Sequence, residues 1–326
     1  MNTPSPRLAW VLIAASVLLV VIGAAVGSVG WEPLWNGREG ASAILWDIRL
    51  PRTLGAWLAG ALLGLSGAVA QGLFRNPLAD PYLLGSATGA ALGVALLLVV
   101  IGISPIAAAG WVARIGLAGA GFAGAVIAVL LTLALAKGVQ HTLRLLLAGV
   151  IVGMVFGALA GLVMFWVPDV MQAMQAFLLG TTGFLGWPGV GLLAIVFAAS
   201  LLLAVGLSRG LDALALGEDT AASLGVALLP VRTVLVGVMA LATGAAVAQV
   251  GLIAFIGLVA PHLVRAATKP TARWLLPLAA LTGGVLLLAA DVLARWLVAP
   301  QELPVGVLTA VLGGGYLLWL MHRRPA

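Results

Sequence analysis

Chemistry needs titratable or nucleophilic side chains, and this sequence is sparing with them. Its 326 residues include 16 Lys and Arg, 10 Asp and Glu, 3 His and no Cys. The lack of Cys removes disulfides, thiolate metal sites, iron–sulfur clusters and cysteine nucleophiles together. His141, His262 and His322 all fall at the edges of apolar stretches, so no imidazole relay runs through one. A phosphate-cradling P-loop requires a Lys behind a Gly-rich turn. The two Lys, Lys137 after Ala136 and Lys269 after Thr268, do not fit that pattern. One acidic residue, Asp291, lies well inside an apolar stretch, with Arg295 four positions later on the same helical face. The pair reads as either a structural salt bridge or a proton relay.

These residues must be positioned by unusually apolar elements. Hydrophobic residues make up 63% of the chain, charged residues 8%, and the mean hydropathy is +1.20. An ordinary globular domain carries about 25% charged residues, so a soluble enzyme is excluded. The net charge of +6 comes from scattered basic residues without interleaved aromatics, which excludes a nucleic-acid partner. Crossing a bilayer as a helix takes about 20 apolar residues. Spans are expected near 8–29, 53–73, 83–103, 115–136, 143–167, 189–207, 231–249, 251–264, 275–298 and 305–321. The first is too long for a signal-peptide core and is read as a retained helix. The stretch Val231–Val264 is ambiguous, and Gln249-Val250-Gly251 is the place for a turn that would divide it.

Charge bias decides the count, because cytoplasmic loops collect Lys and Arg. With ten spans and an inside N-terminus, 11 basic residues lie inside (Arg7, Arg75, Lys137, Arg144, Arg209, Arg232, Arg265, Lys269, Arg273, Arg323, Arg324). Five lie outside (Arg38, Arg49, Arg52, Arg114, Arg295). Fusing the seventh and eighth spans reverses the bias to 7 against 9. The expectation is an all-α polytopic membrane protein with ten transmembrane helices, one transmembrane domain over 1–326, and both termini cytoplasmic.

Pro51-Arg52-Thr53 followed by Ala68-Val69-Ala70-Gln71 is echoed by Val231-Arg232-Thr233 followed by Ala246-Val247-Ala248-Gln249. Gln71 and Gln249 are 178 residues apart. A repeat of five helices forces equivalent helices to run in opposite directions, the inverted repeat of several transporter folds. Gly85, Gly89 and Gly93, and likewise Gly153, Gly157 and Gly161, form small-residue faces expected to pack inside the molecule rather than at a dimer interface. The long cytoplasmic segment 208–230 reads as two short helices parted by Gly217, with Glu218, Asp219 and Thr220 capping and opening the second. With no motor and no relay of its own, such a pore is expected to borrow a motor, and these helices are either a handle for one or a solvated loop. The segment Val170–Leu179 reads as a short helix at the outer mouth, with Met171, Met174 and Phe177 along one face.

Five segments carry a family resemblance: RLPRTLGAWLAGALLGLSGAVAQGLFRNPLADPYLLG (Arg49–Gly85), LRLLLAGV (Leu143–Val150), ALGEDTAASLGV (Ala215–Val226), GLIAFIGLVAPHLVR (Gly251–Arg265) and ELPVGVLTAVLGG (Glu302–Gly314). In this order they resemble the FecCD/BtuC family, permease subunits of type II ABC importers for haem, ferric siderophores and cobalamin. The resemblance covers nearly the whole chain. It implies a homodimer in the bacterial inner membrane, two copies of an ATP-binding cassette ATPase subunit below and a periplasmic substrate-binding protein above. ATP and Mg would be bound by the partner ATPase; no cofactor is expected on this chain, and it would not be an enzyme itself.

The resemblance also implies roles for individual residues. Binding-protein docking falls to Arg49, Arg52 and Arg295. ATPase coupling falls to Ala215, Leu216, Gly217 and Glu218, and the cytoplasmic gate to Asn76, Leu78 and Thr142. His262 reads as structural rather than as a metal ligand. The favoured cargo is haem or another iron complex. The alternatives are cobalamin through the same family, or an ion-coupled secondary transporter dependent on Asp291.

Overall fold

The computed structural model describes residues 6–27, 30–31, 41–101, 111–136, 138 and 142–323. Helix α1 (Pro6–Ala25) leads into a two-residue antiparallel pair, β1 (Val26–Gly27) with β2 (Gly30–Trp31). Helix α2 (Leu50–Leu73) is continuous with a preceding π-helical turn, Ile44–Arg49, and a 3-10 turn (Pro81–Leu84) follows it. Then come α3 (Ser86–Ile101), α4 (Trp111–Leu135), α5 (Thr142–Trp166), α6 (Pro168–Leu179) and α7 (Trp187–Gly206). The short helices α8 (Ser208–Ala215) and α9 (Glu218–Ser223) precede α10 (Leu228–Val250), α11 (Ile256–Ala267), α12 (Ala272–Trp296) and α13 (Val305–Arg323).

Among the described residues, seven helical segments are long and apolar enough to cross a membrane: α1, α2 with its lead-in, α4, α5, α7, α10 and α12. Helices α3, α11 and α13 are apolar but shorter. All lie where the sequence predicts spans. The ambiguous stretch does divide, because Gly251 at φ 70 ends α10 and a short non-helical run reaches Phe255 at φ 68 before α11 begins.

Helix α2 is the axis of the fold. Most of it is buried, whereas α1, α5 and α7 turn broad apolar faces outward, the pattern of a helix bundle in lipid. Its glycines set the packing. A Cβ on Gly60 or Gly64 would collide with the carbonyls of Gly283 or Ala279 in α12, and one on Gly67 with the carbonyl of Gly257 in α11. Only hydrogen at these positions lets the backbones touch.

Early α2 (Ala59, Leu62) packs with late α10 (Ala245, Ala246), and late α2 (Leu65, Ala68) with early α10 (Leu235, Met239). The two repeat-related helices are therefore antiparallel, as an inverted repeat requires. The first glycine stripe packs inside the molecule as expected, and the second does so only in part. Gly89 and Gly93 abut the backbones of Gly124 and Ala120 in α4, but α5 leaves its stripe open: Gly157 is only within ordinary contact of Thr88, and none of the described residues stands over Gly161.

Candidate functional site

Two clusters of charge sit at opposite ends of α2. At its start, Arg52 reaches α12, where its Nη2 and Nε lie 3.1 and 3.2 Å from Asp291 Oδ1. Its Nη1 donates to both carboxylate oxygens of Glu302, at 2.8 and 3.0 Å, in the α12–α13 connection. Asp291 Oδ2 pairs with Arg295 Nη2 at 2.7 Å one turn along α12, and the Thr182 hydroxyl donates to Asp291 Oδ1. Arg295 Nη1 donates to the carbonyls of Gly23 and Val26 at 2.8 Å each. One network thus ties the end of α1, the start of α2, the end of α12 and two loops. Two arginines balance two carboxylates, and Asp291 and Arg295 are 0% and 1% exposed.

This network corrects the docking set. Arg295 is no surface group: its donors are taken up by Asp291 and two carbonyls, so it holds α1 against α12. Arg52, at 11% exposure, keeps only a rim position, and the half-buried Arg49 leans toward the Ala25 carbonyl at 3.5 Å. Asp291 is saturated by two arginines and a hydroxyl, the arrangement of a structural ion pair. The Met171–Phe177 face is corrected too. Met174 is buried against Val94 and Leu98, whereas Met171 is exposed. Phe177 lines a cavity of about 310 Å3 with Leu98, Leu117, Gln172 and Gln249. Gln249 is the repeat partner of Gln71.

In the last turn of α2, Gln71 accepts from Arg265 Nη1 and donates to the Leu258 carbonyl at 3.2 Å, which ties α2 to α11. The chain then turns sharply. The Leu78 amide donates to Asn76 Oδ1 at 2.9 Å, and Asn76 and Leu78 share one exposed turn. Thr142 is the first residue of α5, and its side chain lies outside the described residues. Asp80 accepts the Tyr82 amide at 2.8 Å, and burial holds its carboxyl above the ordinary carboxylate range despite that bond. His262 packs edge-on to Tyr316, with ring centroids 5.9 Å apart.

Helices α8 and α9 lie beneath this turn. Ala215 and Leu216 are exposed, and Gly217 adopts φ 116, a conformation that favours glycine. Glu218 points inward instead: its Oε1 is 2.5 Å from Arg232 Nη2 and 3.5 Å from Arg75 Nη2. Asp212 of α8 accepts the Ala272 amide at 2.8 Å and so caps α12. Glu302, Thr182, Asp212 and the Arg75–Glu218 pair gave no signal in the sequence. Their partners lie far along the chain; Arg52 and Glu302 are 250 positions apart.

The start of α2 is thus tied to α12 and the α12–α13 connection, a tight turn follows its end, and α8 and α9 lie beside that turn. The profile of the FecCD transport family matches residues 8–323. The chain belongs to the FecCD transport family. It is similar to the hemin transport system permease HmuU of Yersinia pestis, with 40% identity over 98% of this chain and 96% of that protein. It is also similar to the vitamin B12 import permease BtuC of Serratia proteamaculans, 38% identical over 94% and 92% of the two chains. The BtuC of Salmonella paratyphi A is 42% identical over 89% and 86%. A solved metal-chelate type ABC transporter in an inward-facing conformation matches with a TM-score of 0.82 at 28% identity, over 98% of this chain and 99% of that one. PsaBC of Streptococcus pneumoniae shares the fold, with a TM-score of 0.55 at 18% identity over 82% and 90% of the chains. As a FecCD member the chain is a permease subunit of an ATP-binding cassette importer, and it works with an ATPase and a substrate-binding protein.

Proposed function

We propose that this FecCD permease carries haem or a related iron chelate inward across the bacterial inner membrane, as one half of a homodimer served by two ATPase subunits. The observation that carries this reading is the end-to-end similarity to a haemin permease. The α5 stripe at Gly157 and Gly161, left open by the described residues of the monomer, supports a second copy as its cover. Ten spans with both termini cytoplasmic agree with the 11-to-5 distribution of basic residues. The exposed Ala215 and Leu216 are the contact for the ATPase, and Gly217 lets the chain turn between α8 and α9. Asn76, Leu78 and Thr142 close the inner gate. A periplasmic binding protein docks over Arg49 and the outer edge of Arg52, where exposed ion pairs worth about 0–1 kcal/mol each would set register more than affinity. Nucleotide chemistry stays in the partner subunits.

Cobalamin is the second reading, favoured by the 38% and 42% identity to B12 permeases. The test is reconstitution with the cognate ATPase and binding protein, measuring hydrolysis stimulated by haem-loaded and by cobalamin-loaded binding protein. Stimulation by haem alone supports the first reading; stimulation by cobalamin alone replaces it with the second.

A further inference from the structure

The inner end of α2 is fastened to the short helices in two physically different ways. Leu211 of α8 sits over Gly72 in the last turn of α2, where a Cβ would come within 2.8 Å of Leu211 Cδ1. An apolar contact of this kind transmits a push but offers little resistance to separation. The second fastening is ionic. Arg75, held at φ 50 just past the end of α2, lies over Gly217 and pairs with Glu218 Oε1 at 3.5 Å. The same oxygen is 2.5 Å from Arg232 of α10, a side chain only 4% exposed. Glu218 is thus anchored from below by a buried arginine and presents its charge upward to Arg75.

Immediately after Arg75 the chain makes the tight turn of Asn76 and Leu78. The Asn76 amide donates to the Gln71 carbonyl at 3.2 Å, and the Ala79 amide to the Asn76 carbonyl at 3.0 Å. With the Asn76–Leu78 side-chain bond, the turn is closed on itself and moves with Arg75 as a unit. We infer that Arg75, through Glu218, is the tie that makes the Asn76–Leu78 turn follow α8 and α9 when they move away from it, whereas Leu211 against Gly72 carries motion toward it. Arg75 is a positioning residue for the inner gate. The inference rests on the proposed reading of α8–α9 as the ATPase handle and of the turn as the gate.

The chain has no Cys, so Leu78→Cys, at 62% exposure, is a clean reporter of the turn. Its rate of modification by a charged maleimide is measured in the complex with the cognate ATPase, nucleotide-free and trapped with ADP and vanadate. Arg75→Gln is expected to shrink the ratio of the two rates by about fivefold, the factor by which a partly exposed ion pair can bias a two-state element. Arg75→Lys, which keeps the charge, is expected to retain most of the ratio. Glu218→Gln is the poorer probe, because Glu218 also pairs with buried Arg232 and its change mixes folding with coupling. An unaltered ratio in Arg75→Gln, with the ATPase bound and hydrolysing normally, overturns the tie alone. If the unmutated permease fails to hold an ATPase, the handle reading falls and the tie with it.

Discussion

Replacing Asp291 by Asn tests the Arg52–Asp291–Arg295 network at its most buried point. The carboxylate is 0% exposed and meets Arg295 at 2.7 Å, Arg52 at 3.1 Å and the Thr182 hydroxyl. An amide keeps one acceptor but removes the charge, leaving Arg295 with two carbonyls and no counter-ion. Stranding one member of a buried pair costs about 3–5 kcal/mol. Glu302→Gln is the internal control. Its side chain is 30% exposed, and Arg52 retains Asp291 when it is lost, so the expected cost is about 0–1 kcal/mol. Unfolding of the detergent-purified protein can be followed by fluorescence of its 11 Trp. The midpoint of Asp291→Asn should fall by on the order of 10 °C, and that of Glu302→Gln by about 2 °C or less. A midpoint for Asp291→Asn equal to or above that of Glu302→Gln would refute the network. Intact stability combined with loss of gradient-driven uptake would restore the proton-relay reading of Asp291.

Gly67→Ala should abolish folding or cost several kcal/mol by thermal melt, because the new methyl meets the Gly257 carbonyl in the rigid α2–α11 contact. Gly161→Leu should leave the monomer's melting point within about 1 °C while weakening self-association in light scattering, since none of the monomer's described residues stands over it. Leu216→Asp should release the ATPase in co-purification without changing the melt, the mark of an exposed contact. Asp80 gives a pH signature. Because burial raises its folded pKa, the folded state binds the proton more tightly, so stability is lost as pH rises through the ordinary carboxylate range and above. Asp80→Asn should therefore flatten the fall in melting point as pH rises above the ordinary carboxylate pKa of about 4; an unchanged slope would remove Asp80 from the account.

The parts of the molecule that were legible in the sequence are those governed by local rules. Apolar length placed the helices, the Gln249–Gly251 punctuation placed the break before α11, and Gly217 placed the joint between α8 and α9. The repeat was legible too, since Arg52 and Arg232 open α2 and α10, and Gln71 and Gln249 sit in their last turns. The features that stayed hidden depend on long-range geometry. Arg295 stands at a span end, where snorkelling to solvent and burial against α1 look alike along the chain, and only the carbonyls of Gly23 and Val26 decide between them. Likewise Gly85–Gly93 and Gly153–Gly161 share a spacing, yet Gly89 and Gly93 meet the backbone of α4 whereas none of the described residues stands over Gly161. The pairing of Arg75 with Glu218 required knowing that α9 folds back beneath α2.

At its centre, this protein is a passive conduit driven from outside. Proteoliposomes containing the permease alone, or with its ATPase and a haem-loaded binding protein, can be compared for haem accumulation with and without ATP and with an imposed proton or sodium gradient. Accumulation only with the ATPase and ATP together is the expected result. Uphill accumulation by the permease alone under a gradient would contradict the account.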